Sequence, residues 1–131
     1  MFDVSFSWKR PTNLGVRNGR LAPCKRSPNC VSSQADPLDK EHYVAPISYP
    51  GTMQALRDAI AGLSLATIVK LEGNYLYAEF RTPILRFVDD VEFLKDGEVL
   101  HVRSASRLGR RDFKANRNRV EQLRSFLTPT P

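Results

Sequence analysis

Apolar and polar residues alternate through two stretches of the chain, residues 67–81 and 88–104. Alternation over this length predicts strands that are buried on one face. Each stretch is interrupted by a glycine-containing pair, Gly73-Asn74 in the first and Asp96-Gly97 in the second. Such pairs form the two-residue loops of β-hairpins. The sequence therefore predicts two antiparallel hairpins.

These loops fix a register for each hairpin. In both registers the apolar residues stay on one side, which supports the assignment because a one-residue slip would invert every side chain. The predicted pairs are Glu72–Tyr75, Leu71–Leu76, Val69–Ala78 and Thr67–Phe80 in the first hairpin, and Phe93–Leu100, Val91–Val102, Asp90–Arg103 and Glu92–His101 in the second.

Helical spacing of apolar residues predicts two helices. The first runs from about Thr52, its N-cap, to Ala61, with Gly62 as a left-handed stop. The second closes the chain, with Asp112 as its cap and a buried stripe of Phe113, Val120, Leu123 and Leu127. Asn116 falls in this stripe and therefore requires a polar partner.

These elements predict an α+β two-layer sandwich in the order α-β-β-β-β-α. An antiparallel four-stranded sheet would carry both helices on one face. Residues 1–50 contain six prolines and show no periodicity, so they are interpreted as a long irregular N-terminal arm packed on the domain. Residues 51–131 would form the α+β core. The 131 residues suit one domain overall.

The sheet face away from the helices is predicted to be polar. Acidic and basic residues lie on neighbouring strands of this face, and two interpretations remain open. One is a solvated face with cross-strand ion pairs. The other is a polar pocket covered by the arm. The residues of this face are Tyr75, Tyr77, Glu79, Arg81, Asp90, Glu92, His101 and Arg103.

The net charge of +6 is concentrated near the C-terminus. Residues 103–124 contain eight basic and two acidic side chains, whereas the rest of the chain sums to zero. This asymmetry favours an anionic partner: a small molecule, an acidic protein or a membrane surface. A solvated basic helix is the structural alternative. Nucleic-acid binding through that helix is the least favoured class, because no recognition motif or aromatic stacking set accompanies the arginines.

The arginines of this segment are expected to divide by role. Arg103 should pair with Asp90 on the polar face. Arg107, Ser106 and Asn116 should meet at the start of the last helix, with backbone carbonyls or Asp89 as further partners. The residues left for a partner are Arg110, Arg111, Lys114, Arg117 and Arg119, with Arg117 and Glu121 as an i,i+4 pair.

Several blocks resemble one known family: RPTNLGVRNGRLAPC, SPNCVSSQA, YLYAEFRT, RFVDDVEF and VRSASRLGRRDFKANRNRVE. Together they resemble the bacterial and plastid family known as domain of unknown function 1499, and most closely its cyanobacterial and plant-type members. The resemblance implies a compact domain, often in exported or membrane-associated contexts, and no established reaction. The signature positions it implies here are Cys24, Ser27, Pro28, Asn29, Cys30, Ser32, Ser33, Arg81, Asp89, Asp90, Arg103, Ser104, Ser106, Arg107, Gly109, Asp112, Asn116 and Arg117.

The two cysteines, Cys24 and Cys30, lie close together in the arm. A disulfide between them would stabilise the arm by about 2–3 kcal/mol, and a pair of structural thiols is the simpler alternative. A third hypothesis makes Cys30 a nucleophile, with His101 as base and Asp89 or Asp90 as the orienting carboxylate.

The favoured function is a small binding or interaction module for an anionic ligand or partner, rather than an enzyme. No cofactor and no metal site are predicted.

The first residues lack the features of a signal peptide, which favours a cytoplasmic location. Export, to the periplasm or in association with thylakoids, is the alternative. The predicted ligand-binding residues are Tyr77, Arg81, Arg103, Ser104, Ser106, Arg107, Asn116 and Arg117.

Overall fold

The fold is taken from a computed structural model, which describes residues 9–26, 29–84, 86–107 and 114–128. Two helices and eight strands lie within these ranges. The strands are β1 (Val16–Arg17), β2 (Arg20–Leu21), β3 (Cys30–Ser32), β4 (Ile47–Ser48), β5 (Ala66–Glu72), β6 (Tyr75–Arg81), β7 (Val88–Asp96) and β8 (Val99–Ser106), and the helices are α1 (Met53–Ala61) and α2 (Ala115–Leu127).

The predicted α+β class is confirmed, but the predicted four-stranded sheet is wrong. The main sheet has six antiparallel strands in the order β3-β8-β7-β6-β5, with β4 also paired to β8. The two additional strands come from the N-terminal 50 residues. They pair along β8, which would otherwise be an exposed edge with unpaired backbone groups.

One face of the sheet packs against both helices, as predicted. Leu56 and Ile60 of α1 and Val120 and Leu123 of α2 are buried against it. Each such side chain contributes about 1.5–3 kcal/mol of hydrophobic stabilisation. The predicted sheet residues of this core are all buried: Leu76, Phe80, Val91, Phe93, Leu100 and Val102.

The first hairpin contains a bulge that the alternation did not predict. Leu71 pairs with Leu76 as expected, but the register shifts between Ile68 and Lys70. Ile68, instead of Val69, then pairs with Ala78. Because a bulge adds one residue to one strand, it reverses which residues face the core beyond it. Val69 therefore packs with the cluster on the opposite face, and Phe80 pairs with Ala66 rather than Thr67.

The second hairpin is shifted by two residues from the prediction. Asp96 pairs with Val99, so the loop is Gly97-Glu98, and Gly97 has a φ of +62°. Glycine thus occupies the first loop position, where a type II′ turn requires it. Because the shift is even, each residue keeps its predicted face. Its cross-strand partner changes: Glu92 faces Arg103, and Leu94 faces His101.

The helix ends match the prediction in part. The Thr52 hydroxyl accepts a hydrogen bond from the Ala55 amide, which confirms the cap of α1. Gly62, with a φ of −76°, is right-handed, so the predicted left-handed stop is wrong. In α2, Lys114 occupies the cap position with a φ of +67° and no side-chain hydrogen bond to the helix. The predicted cap, Asp112, and the neighbouring Phe113 lie outside the described residues.

The arm covers the second face of the sheet. Its strands β1 and β2 form a small hairpin through Asn18 and Gly19, both with positive φ. Leu21 of this hairpin packs against Tyr75, Tyr77 and Leu94 of the main sheet, together with Leu14 and Val69 at the edge of the cluster. The sheet is consequently buried between the helices on one side and the arm on the other.

Candidate anion-binding cleft

Three carboxylates lie buried beneath the arm. Glu79, Asp90 and Glu92 are only 6%, 1% and 0% exposed. An ionised carboxylate is costly to bury unless charged or hydrogen-bonding partners replace the water that it loses. The polar sheet face is therefore a covered ionic network rather than a solvated surface.

Glu92 is held from three directions. Its Oε2 accepts hydrogen bonds from the Tyr75 hydroxyl at 2.5 Å and from the Gly15 amide of the arm at 2.7 Å. Arg103 Nη1 lies 3.4 Å from Oε1. The predicted pairing of Arg103 with Asp90 is wrong, because the two-residue shift places Glu92 opposite Arg103.

Arg107 forms ion pairs with the other two carboxylates, Glu79 and Asp90. Its Nε and Nη2 donate to the two oxygens of Asp90 at 3.0 and 2.9 Å, and Nη2 also lies 2.6 Å from Glu79. The Tyr77 hydroxyl donates to Asp90 as well. From the arm, Arg10 donates to Glu79 at 2.7 Å. The expectation that Arg107 meets Asn116 or Asp89 is wrong: it points to the opposite face of the sheet.

Burial and hydrogen bonding shift the pKa values of this network. Burial raises the pKa of Glu79, but hydrogen bonds from Arg10 and Arg107 outweigh it, and the pKa lies below its ordinary value. Burial lowers the pKa of Arg107, and the bonds to Asp90 and Glu79 raise it further than burial lowers it. The pKa of Tyr77 is raised by burial and by its bond to Asp90. At neutral pH Glu79 is therefore ionised, Arg107 is charged and the phenol of Tyr77 is neutral.

The lowered pKa of Glu79 predicts an acid-dependent loss of stability. The paired carboxylate stabilises the fold fully above its ordinary pKa of 4.5, and this stabilisation disappears as the pH falls through the lower folded-state value. We expect the free energy of unfolding to fall more steeply below about pH 4.5 in the wild type than in a Glu79→Gln variant. Urea denaturation across a pH series measures both slopes, and parallel slopes would contradict the assignment.

A cleft of about 510 Å³ opens between the arm and the β7–β8 side of this network. Its charged lining consists of five basic side chains and one carboxylate, Asp90. Arg103, which is 4% exposed, contributes a buried Nε that has no hydrogen-bond partner among the described residues. The lining residues are Lys9, Arg10, Pro11, Thr12, Asn13, Lys25, Asn29, Cys30, Asp90, Arg103, Ala105, Ser106 and Arg107.

Asn116 lies at the junction of α2, β8 and the arm. It is fully buried, as its place in the apolar stripe predicted. Its Oδ1 accepts a bond from Ser104 Oγ at 2.6 Å, and its Nδ2 donates to Ser106 Oγ at 2.9 Å and to the Asn29 carbonyl at 3.0 Å. The expected meeting of Asn116 and Ser106 is confirmed. These groups hold the end of β8, the strand that contains Arg103 and is followed directly by Arg107.

The arginines of α2 are engaged within the chain. Arg117 donates to the backbone carbonyls of Lys40, Glu41 and Tyr43, so the predicted pair with Glu121 is wrong. Arg119 bonds Asp89 at 2.5 Å. Neither guanidinium group points toward the cleft lining, and Arg110 and Arg111 lie outside the described residues.

Two further predicted site residues lie away from the cleft lining. Arg81 is within 3.3 Å of Thr67 Oγ1 and 3.7 Å of Glu79. Tyr77 lies beneath the cleft, with its hydroxyl committed to the carboxylates. Of the predicted ligand-binding residues, Arg103, Ser106 and Arg107 line the cleft.

Cys24 and Cys30 form a disulfide, with their Cα atoms 5.7 Å apart. Cys30 pairs with Ala105 of β8, four residues from His101, which corresponds to roughly 13 Å along a strand. The His101 Nδ1 instead lies 3.0 Å from Ser33 Oγ. The structure therefore does not assemble the nucleophile, base and carboxylate proposed from Cys30, His101 and Asp89 or Asp90.

Sequence reasoning missed the residues that the arm contributes: Lys9, Arg10, Gly15 and Lys25. A signal for them exists, because residues 9–26 contain six basic side chains and no acidic one. The zero net charge outside residues 103–124 concealed this local excess. The cleft forms where these two basic segments meet.

Comparison with protein families identified a family of unknown function. The family described as "Protein of unknown function (DUF1499)" matches residues 20–127. Neither the comparison with curated proteins nor the comparison with solved structures found a match.

Proposed function

The chain belongs to the DUF1499 family, and on the geometry above we propose that it is a binding module that holds a small anionic molecule in the cleft between its arm and β8. The ligand would carry carboxylate or phosphate groups, since both accept several charge-assisted hydrogen bonds from lysine and arginine. The ligand-binding residues would be Lys9, Lys25 and Arg103. Arg107 also lines the cleft, where it is paired with Glu79 and Asp90.

The charge balance of the cleft carries this proposal. The three buried carboxylates are paired with Arg10, Arg103 and Arg107, and Arg81 lies 3.7 Å from Glu79 as a fourth basic partner. Lys9 and Lys25 are exposed on the same cleft and form no ion pair within the described part of the chain. An anion entering the cleft would therefore meet two uncompensated positive charges, beside the lining residue Arg103.

Titration with inorganic phosphate and with citrate, followed by calorimetry, tests the proposal. We expect the double substitution Lys9→Gln, Lys25→Gln to weaken binding by about tenfold, because each lost contact is worth about 0.5–1 kcal/mol. The matched control is Arg17→Gln, Lys40→Gln, which removes the same charge from exposed positions outside the cleft lining. Equal loss in both variants, or no binding by the wild type, would refute the proposal.

The disulfide supports a further proposal about location. Such bonds persist mainly in oxidising compartments, so Cys24–Cys30 favours the exported alternative over the cytoplasm. The sequence blocks that resemble cyanobacterial and plant-type members support the same proposal. The test is to extract the protein from its native cells under denaturing conditions with an alkylating reagent that labels free thiols. Cysteines that become alkylated were reduced in the cell, and this result would refute the exported location.

A further inference from the structure

The loop between β6 and β7 exposes large apolar side chains. Ile84 is 89% exposed and Phe87 is 37% exposed, and Pro83 beside them is exposed as well. Single exposed apolar residues are ordinary on protein surfaces, but neighbouring ones on a projecting loop indicate a contact site.

Backbone hydrogen bonds hold this loop at its base. The amide of Thr82 donates to the Phe87 carbonyl at 2.9 Å, and the amide of Arg86 donates to the Thr82 carbonyl at 3.1 Å. The Thr82 hydroxyl accepts from the Phe87 amide at 2.9 Å. Arg86 has a φ of +60°, a conformation that non-glycine residues adopt only at some cost. These bonds fix the backbone of Thr82, Arg86 and Phe87 at the base of the loop, whereas Leu85 lies outside the described residues.

The apolar residues are accompanied by positive charge alone. Residues 80–88 contain Arg81 and Arg86 and no acidic residue. The side chain of Arg86 is exposed and forms no ion pair within the described ranges. A projecting apolar group beside arginine is the combination that binds an anionic bilayer, where the apolar group enters the acyl boundary and the arginine meets lipid headgroups.

We propose that the β6–β7 loop docks the protein on an anionic membrane surface, with Ile84 and Phe87 inserted and Arg86 at the headgroups. The partner is a lipid bilayer rather than a soluble anion, because a soluble anion would leave Ile84 in water. The chain offers an internal contrast in Leu38, which is 85% exposed but lies between Asp36 and Asp39. An anionic surface would repel that turn. The inference is independent of the ligand proposed for the cleft.

Sedimentation with vesicles of two parts phosphatidylcholine to one part phosphatidylglycerol, in about 0.1 M salt, tests the proposal. We expect Ile84→Ser to lower vesicle partitioning by about tenfold or more, since insertion removes the isoleucine side chain from water. Arg86→Gln should lower it by about fivefold, because a basic residue at an anionic surface contributes about 1 kcal/mol. The matched control Leu38→Ser, which removes an equally exposed apolar group, should change it less than twofold.

Neutral vesicles of phosphatidylcholine alone should bind the wild type weakly. The proposal is overturned if the wild type fails to bind the anionic vesicles, if Ile84→Ser binds as the wild type does, or if Leu38→Ser loses binding equally. Retention of the wild-type melting temperature by all three variants shows that each remains folded. Because the cleft lysines are unchanged in these variants, phosphate binding should persist, which separates this result from failure of the cleft proposal.

Discussion

Substitution of Arg107 by methionine is expected to lower the melting temperature of the protein by about 10 °C or more. Methionine preserves much of the packing but leaves Asp90 and Glu79 buried without their shared guanidinium group. Removing one partner of a buried ionic cluster typically costs about 3–5 kcal/mol, because the remaining charge is no longer compensated. For a domain of this size, 1 kcal/mol corresponds to roughly 3–5 °C. Differential scanning calorimetry at neutral pH measures the shift.

Arg81→Met is the matched control for this prediction. Arg81 is also near Glu79, but at 3.7 Å and with a side chain that is 33% exposed. Its substitution should cost less than about 1 kcal/mol, as for other partly solvated ion pairs. Adding Asp90→Asn and Glu79→Gln to the Arg107→Met protein should restore part of the stability. If Arg107→Met melts no lower than Arg81→Met, the buried cluster does not stabilise the fold in this way.

The same cluster connects the arm to the sheet. Arg10 and the Gly15 amide reach from the arm to Glu79 and Glu92, respectively. Hydrophobic contacts alone, such as Leu21 against Tyr75, would fix the position of the arm less strictly than hydrogen bonds with defined directions. The network thereby determines both the shape of the cleft and the placement of its basic lining.

The sequence predicts which residues face the helices more reliably than it predicts pairing partners. The alternation around Phe93 is the same whether the loop is Asp96-Gly97 or Gly97-Glu98, because an even shift leaves every face unchanged. The partner of Arg103 does depend on that choice, and so its ion pair was assigned wrongly. The bulge at Val69 is invisible for a related reason: apolar residues stand at both 68 and 69, and either can face the core.

The contribution of the arm could not be predicted from local patterns. β3 and β4 contain only three and two residues, too few to show a period. They form because β8 offers backbone groups that need partners, which is a property of the folded sheet. Asn116 was predictable because it interrupts an apolar stripe. The direction of Arg107 was not, since it follows the last residue of β8 and either face was open to it.

Asn116→Ala is expected to lower the free energy of unfolding by about 3 kcal/mol. Its side chain satisfies the buried Ser104 Oγ, the half-buried Ser106 Oγ and the carbonyl of the buried Asn29, and alanine would leave these groups without that partner. Each buried polar group that loses its partner costs about 1–3 kcal/mol, partly offset where water can enter. Urea denaturation measures the loss. Hydrogen exchange at the Ser106 amide, which donates to the Asn29 carbonyl, reports the local effect.

Asn118→Ala is the control on the same helix, since Asn118 is exposed and the substitution removes the same amide. It should change stability by no more than about 0.5 kcal/mol. Faster exchange at Ser106 in the Asn116 variant, and not in the Asn118 variant, would show that Asn116 ties the arm to the end of β8. Equal destabilisation by the two substitutions would contradict the role given to the Asn116 hydrogen bonds, since alanine is the better helix former at either position. Because Asn29 and Ser106 line the cleft, the Asn116 variant should also bind phosphate more weakly, although it leaves every basic side chain in place.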